Sequence, residues 1–198
     1  MLRRMRHLAL DVIREEHQAL SAMLRSLSLM LAQARRDRQP PDFAVLRAML
    51  FYVDEFPEQR HHRQESALLF PRVGERAPGL RPVLDRLERE HAQGEMAIRE
   101  LEHLLLAYEV LGEPRREAFE QAVDRYIRFY LQHMALEEQE ILPAAGRTFD
   151  AADWAELDAA FASHQDPLAG HPVPPDYEPL FRQIVNQAPA PIGLGTPR

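Results

Sequence analysis

The stretch LDVIREEHQALSAMLRSLSLML, residues 10–31, decides the fold class. Its apolar residues Leu10, Ile13, Leu20, Leu24, Leu27 and Leu31 recur at steps of three and four, and His17 occupies the step between Ile13 and Leu20. One helix face therefore carries an aliphatic stripe interrupted by an imidazole at a core position.

The same pattern extends along the chain. Pro40-Pro41 ends the first helix and Asp42 can cap a second, whose Phe43, Leu46, Leu50 and Val53 lead toward His61 and Glu65. Its stripe slips by one residue near Pro57, as in a kinked helix. After Pro78-Gly79, a third stripe runs Leu80, Leu84, Leu87, His91, Gly94, Ile98, Leu101, Leu105, Tyr108, and Gly112 stops it. Pro114 suits the first turn of a fourth helix with the stripe Phe119, Val123, Tyr126, Tyr130, His133, Glu137. The expected fold is all-α, an antiparallel up-down four-helix bundle. Thr148 or Asp150 can cap a short closing helix through Trp154, Leu157 and Phe161. The division expected is a bundle domain over residues 1–165 and a Pro-rich, irregular C-terminal tail over 166–198, with a turn or two of helix around Tyr177 to Ile184 that packs on the bundle or on a partner.

Composition narrows the chemistry. The chain has 198 residues, enough for one well-buried domain, and no Cys, which excludes thiolate metal sites, iron-sulfur clusters and disulfides. A net charge of -7 argues against nucleic acid as a partner. All 24 basic residues are Arg, a feature of codon usage rather than of function. Arg3, Arg4 and Arg6 are followed by Asp11, Glu15 and Glu16 before any apolar run long enough for a signal peptide or membrane span, so the expected location is cytoplasmic, without a membrane partner.

The chain is also doubled. His61-x3-Glu65 and His133-x3-Glu137 each set an imidazole and a carboxylate on one helix face, and each is followed by a Pro ten residues after its His, Pro71 and Pro143. Glu16-His17 and Glu90-His91 form a second matched set upstream. Four inward imidazoles and two inward carboxylates are too costly to bury unless they are paired or hold ions, and iron accepts such a mixed nitrogen and oxygen set. A carboxylate can bridge two metals, so a dinuclear site accounts for the residue count better than a mononuclear one. A lone core His is usually structural, but with nine His in 198 residues, roughly one position in twenty, four matched placements are hard to credit to chance.

These motifs, with Leu69-Phe70-Pro71, the Leu142-Pro143 ending and the segment Phe149 to Phe161, resemble the hemerythrin-like (HHE cation-binding) family over about residues 7 to 165. The resemblance implies a non-haem di-iron centre in a four-helix bundle. Glu65 and Glu137 would bridge the irons, His17 and His61 would bind one, and His91 and His133 the other. Oxygen carriers of the family have a second His four residues after the lone His of the third helix, where this chain has Glu95. Without that imidazole both irons keep open positions, and the expectation moves from oxygen storage to reaction with, or sensing of, dioxygen, peroxide or nitric oxide. Glu95 either joins His91 on the metal or pairs with Arg99 at the surface. Tyr130, three residues before His133, either bonds near the site or is plain core. His7, His62, His103, His164 and His171 are read as non-ligands, His62 because it points a quarter-turn from His61.

Three other readings remain in view. A ferritin-like di-iron oxidase would use Glu58-x2-His61 and Glu88-x2-His91, at the expense of the internal repeat. A regulatory module would report iron or oxygen loading to a partner through the tail. A metal-free helical interaction protein would bind no ion. Turnover, a protein partner and a homodimer are left open by the residues.

Overall fold

A computed structural model describes residues 7–163 and 166–195. It is all-helical, with no strand among the described residues. Helix α1 (Leu8–Asp37) ends where Arg38 turns left-handed, and Asp42 caps α2 (Phe43–Val53) by accepting from the Ala44 and Val45 amides. From there a single rod continues through a π-helical segment, Asp54–His61, the short α3 (His62–Gln64), a second π segment, Glu65–Leu69, and α4 (Phe70–Arg76). Helix α5 (Arg81–Leu111) stops at Gly112, whose φ of 76° suits a residue without Cβ. Pro114 lies in a 3₁₀ turn, Glu113–Arg115, just ahead of α6 (Arg116–Leu136). A third π segment, Glu137–Ile141, joins α6 to α7 (Leu142–Thr148). No helix among the described residues is long and apolar enough to cross a membrane.

The slip near Pro57 is a change of helix type. Proline has no N–H to donate and its ring crowds the carbonyl four residues back. The chain answers with wide turns, in which the Pro57 carbonyl accepts from His62, the Glu65 carbonyl from Phe70 and the Glu137 carbonyl from Leu142, each five residues on. Two of these wide turns start at the two Glu of the His-x3-Glu repeats and end just before Pro71 and Pro143.

The core is split in two. One apolar cluster takes α1 from Leu20 to Leu31, α5 from Ile98 to Tyr108 and α6 from Phe119 to Met134. The other takes Leu10 and Ile13 of α1, Leu84 and Leu87 of α5, and Ile141 and Leu142 after α6. The polar stripe positions fall in the layer between them. Helix α8 (Ala151–Ala162), capped by Asp150 in a reciprocal capping box, closes the second cluster with Trp154, Leu157 and Phe161. Arg72 and Arg76 fix it through Asp153 at 3.1 and 2.9 Å.

The tail packs on the bundle and is more regular than its prolines suggest. Its helix α9 (Glu178–Gln187) runs longer than a turn or two, with Pro179 in the first turn where no N–H is needed. Phe181 and Ile184 are buried in the larger cluster, and Phe181 meets the edges of Tyr52 and Phe56. Tyr52 donates to Asp166 at 2.6 Å, and Ser26 donates to the Pro189 carbonyl at 2.8 Å.

Candidate metal centre

The layer between the two clusters brings His17, His61, Glu65, His91, His133 and Glu137 together, all buried. It also brings in His62, which the α-helical reading turned away. The π segment ahead of it changes the angle between successive side chains, so both His61 and His62 point inward. Glu95 stays outside. Its side chain is 43% exposed and lies 3.9 Å from Arg99 at i+4. His7 stacks on Trp154, His103 and His171 join no metal-ligating group among the described residues, and His164 lies outside them.

Three sets of buried donor atoms each converge within 4.8 Å of one another: His62, His91 and His133; His17, His61 and Glu65; and Glu65, His91 and Glu137. The grouping is two imidazoles on one side, three on the other and two carboxylates between. His17 Nε2 lies 3.2 Å from Glu137 and His61 Nε2 lies 3.3 Å from Glu65. His133 Nε2 lies 3.2 Å from Glu137, and His91 Nε2 lies 3.7 and 3.8 Å from Glu65 and Glu137.

Every one of the five rings is held from behind by its Nδ1. His61 is held by Glu16 at 2.6 Å, His62 by Glu58 at 3.1 Å, His133 by Glu90 at 2.9 Å and His17 by Glu138 at 3.0 Å. His91 is held by the Ser66 hydroxyl at 2.9 Å, which also donates to Glu88. An outer acceptor on Nδ1 fixes the tautomer whose bare Nε2 can ligate a metal, and raises its basicity. The repeat explains four of these contacts. Glu16 and Glu90, each next to a lone His, brace the His of the following motif, and Ser66 and Glu138, each five residues after a motif His, brace the lone His of the other half. His62 breaks the match, because its counterpart is the buried apolar Met134.

Sequence reasoning read His62 as a non-ligand and gave Glu58 a role only in the ferritin-like alternative, beside His61. The His61-His62 doublet and the slipped stripe at Pro57 were the available signals. The Glu-x2-His spacings do not work as they would in a ferritin-like oxidase. Glu58 sits behind His62, and Glu88 sits behind Ser66. Two phenols hold Glu58 in place, since Tyr126 and Tyr130 both donate to its Oε1, at 2.6 and 2.5 Å. Gly94 makes room for this. A Cβ there would lie 1.8 Å from the Tyr130 hydroxyl oxygen and 2.9 Å from Glu58 Oε2.

The donor set fits a pair of cations. All four carboxylate oxygens of Glu65 and Glu137 are buried without a hydrogen-bond partner, an arrangement that costs several kcal/mol per group unless a positive charge completes it. Without metal, protons on the rings can supply that charge. Burial alone would push the rings down, but Glu137 and Glu90 hold His133 up at about 10, and Glu65 and Glu16 hold His61 well above its ordinary 6.5. Burial and the neighbouring His91, His61 and His133 push His62 well below 6.5, so it is neutral and ready to ligate.

Metal must displace these protons, which gives a sign. Protonation of His133 stabilises the metal-free fold fully below 6.5, and this contribution is lost as pH rises through about 10. Affinity for a divalent ion should therefore increase with pH across that window, with protons from His61 and His133 released on loading. Calorimetry at pH 7 in buffers of different ionisation enthalpy should resolve the release. A heat independent of buffer would contradict the proton-filled cage.

The comparison with curated proteins finds no match, and neither does the comparison with solved structures. A family model does match. The Hemerythrin HHE cation binding domain model covers residues 8–145, a span that holds all seven inward candidate ligands and the outer groups that brace them, and the chain belongs to that family.

Proposed function

We propose that this chain is a non-haem di-iron protein of the hemerythrin type that binds or reacts with dioxygen, peroxide or nitric oxide. The observation that carries the reading is the set of five inward Nε2 atoms, each ring braced at Nδ1, around two buried carboxylates that lack hydrogen-bond partners. His62, His91 and His133 would hold one iron, His17 and His61 the other, and Glu65 and Glu137 would bridge. Iron suits a mixed imidazole and carboxylate set with no thiolate. Bound there, the pair supplies redox chemistry toward small oxidising or diatomic ligands. The chain contributes asymmetry. Three imidazoles face one side and two the other, so the side with two would have fewer protein ligands, and the apolar clusters above and below keep bulk water out. The imidazole absent at Glu95 is replaced by His62 on another helix, so the absence of a second His on α5 is no argument against oxygen binding.

The test is metal analysis after anaerobic reconstitution with ferrous iron, where about two irons per chain are expected. One iron per chain, or preferential retention of zinc, would overturn the di-iron reading. A second reading, an iron-responsive regulatory module, draws support from one contact set. Tyr177, at the entry to α9, donates to Glu55 at 2.6 Å and accepts from Arg60 at 3.1 Å, both on the π segment that leads into His61 and His62. Hydrogen exchange in α9 that is unchanged on iron loading would remove it.

A further inference from the structure

The two tyrosines behind Glu58 do more than a brace requires. A single donor would orient the carboxylate, yet both Tyr126 and Tyr130 point at the same oxygen. Their rings also form a continuous aromatic path. Tyr126 and Tyr130 lie 4.7 Å apart between centroids, Tyr130 stacks parallel to His62 at 5.4 Å, and His62 stacks on His91 at 4.2 Å. Electron transfer weakens steeply with distance, and no step here is longer than a ring contact. The outer end of the path reaches the surface. Tyr126 lines a cleft of about 230 Å³ between α5 and α6, walled by Gln93, Ala97 and Leu101 on one helix and Arg125 and Phe129 on the other. That volume is below the range for drug-sized ligands and suits a single aromatic ring lying against Tyr126 and Phe129.

We propose that Tyr130 and Tyr126 are a redox relay that carries single electrons from a small phenol or hydroquinone docked in the α5–α6 cleft to the metal centre, giving the protein a peroxide-dependent one-electron oxidation activity. The proposal rests on the di-iron reading above. Burial beside Glu58 keeps both phenols protonated, so each loses its proton and its electron together. Tyr130 breaks its O–H bond, its proton passes to Glu58 Oε1 and its electron to the centre. Tyr126 then restores Tyr130 by passing it a hydrogen atom, the docked phenol restores Tyr126 likewise, and Glu58 releases its proton to solvent before the next passage, while peroxide takes up two protons from solvent as water forms. Over two such passages hydrogen peroxide is the oxidant and the balance is two phenols plus one peroxide to two phenoxyl radicals plus two waters.

The experiment mixes iron-loaded protein with hydrogen peroxide, freezes it within the first turnovers and records electron paramagnetic resonance, alongside peroxide consumption and the oxidation of guaiacol. The expected result is a tyrosyl signal that narrows when the protein is made with ring-deuterated tyrosine. Tyr130→Phe should abolish the signal. Tyr126→Phe should leave it longer-lived while guaiacol oxidation falls roughly tenfold or more. Iron content is measured on each variant, so a loss that merely followed a loosened Glu58 and His62 would show as lost metal and would count against the relay. Peroxide consumed without a tyrosyl signal, or guaiacol oxidised at the wild-type rate by both variants, overturns the relay and leaves the di-iron reading intact. A protein that holds iron but does not consume peroxide refutes the relay and the peroxide branch of that reading together.

Discussion

Replacing His62 by Leu should cost one of the two metals, with affinity at that position falling at least about tenfold, whereas Glu95→Gln should leave metal content unchanged. The two positions separate the sequence-level expectation from the structure. Glu95 occupies the place where oxygen carriers have a further His, but its side chain faces solvent and Arg99. His62 is 4% exposed, is braced by Glu58 and shares a donor set with His91 and His133. Leu is apolar and fits a site walled by Phe70, Tyr130 and the other rings, so the metal-free fold should survive and the readout is occupancy by metal analysis together with a titration in the His62→Leu protein. Full occupancy in that variant, or loss of metal in Glu95→Gln, would return the third-imidazole role to α5.

The helices were legible because their stripes are long and their stops are chemically distinct. Leu10 to Leu31 spans six turns of one pattern, Asp42 is a strong cap, and Gly112 adopts a φ that other residues avoid. The burial of the six candidate ligands of the repeat was legible from the His-x3-Glu pairs and from the core steps that His17, His91, His133 and Glu137 occupy. What escaped notice depends on two kinds of information that periodicity does not hold. One is local helix type. An angle of 100° per residue turns His62 away from His61, and only a wide turn forced by Pro57 turns it back. The other is which helix a side chain reaches. Glu16 and Glu90 look like partners of the adjacent His17 and His91, yet they brace His61 and His133 on other helices. The tail was read as irregular from its prolines, but Pro167, Pro175 and Pro179 all start helical turns, where a missing N–H costs nothing.

The doubled sequence gives a nearly symmetric cage, and one substitution makes it unequal. His61 pairs with His133, Glu65 with Glu137, His17 with His91 and the π turns with each other, but His62 faces Met134 across the repeat. Asymmetry then spreads outward. Glu58, which fixes His62, has Tyr130 at its repeat position, and Tyr130 is one of the two phenols that fix Glu58. A chain of contacts built from unmatched positions thus runs from the three-imidazole side of the centre to the α5–α6 cleft.

That chain depends on a hole in α5, and filling it should have the second large effect. Gly94→Ala gains about 1 kcal/mol of helix propensity at an interior position, so on local grounds it should stabilise the protein. Packing reverses the sign. The new methyl would lie 1.8 Å from the Tyr130 hydroxyl oxygen and 2.8 Å from its Cζ, distances that no rotamer adjustment of a fully buried ring absorbs. Tyr130 must shift, which costs about 1–3 kcal/mol as overpacking. Its bond to Glu58 then fails, and a buried carboxylate that loses a donor costs about 1–3 kcal/mol more. The net is a destabilisation of about 2 kcal/mol or more, which for a chain of this size lowers Tm by about 4–8 °C. Tyr130→Leu removes the two shortest contacts and leaves only Glu58 Oε2 at 2.9 Å, the far end of a flexible side chain, so Gly94→Ala in that background should cost much less, and the double-mutant cycle should show a coupling of about 1–3 kcal/mol. Thermal or denaturant unfolding of the metal-free proteins provides the measurement. Additive costs would mean that the glycine serves helix approach in general and not the passage of this phenol to Glu58.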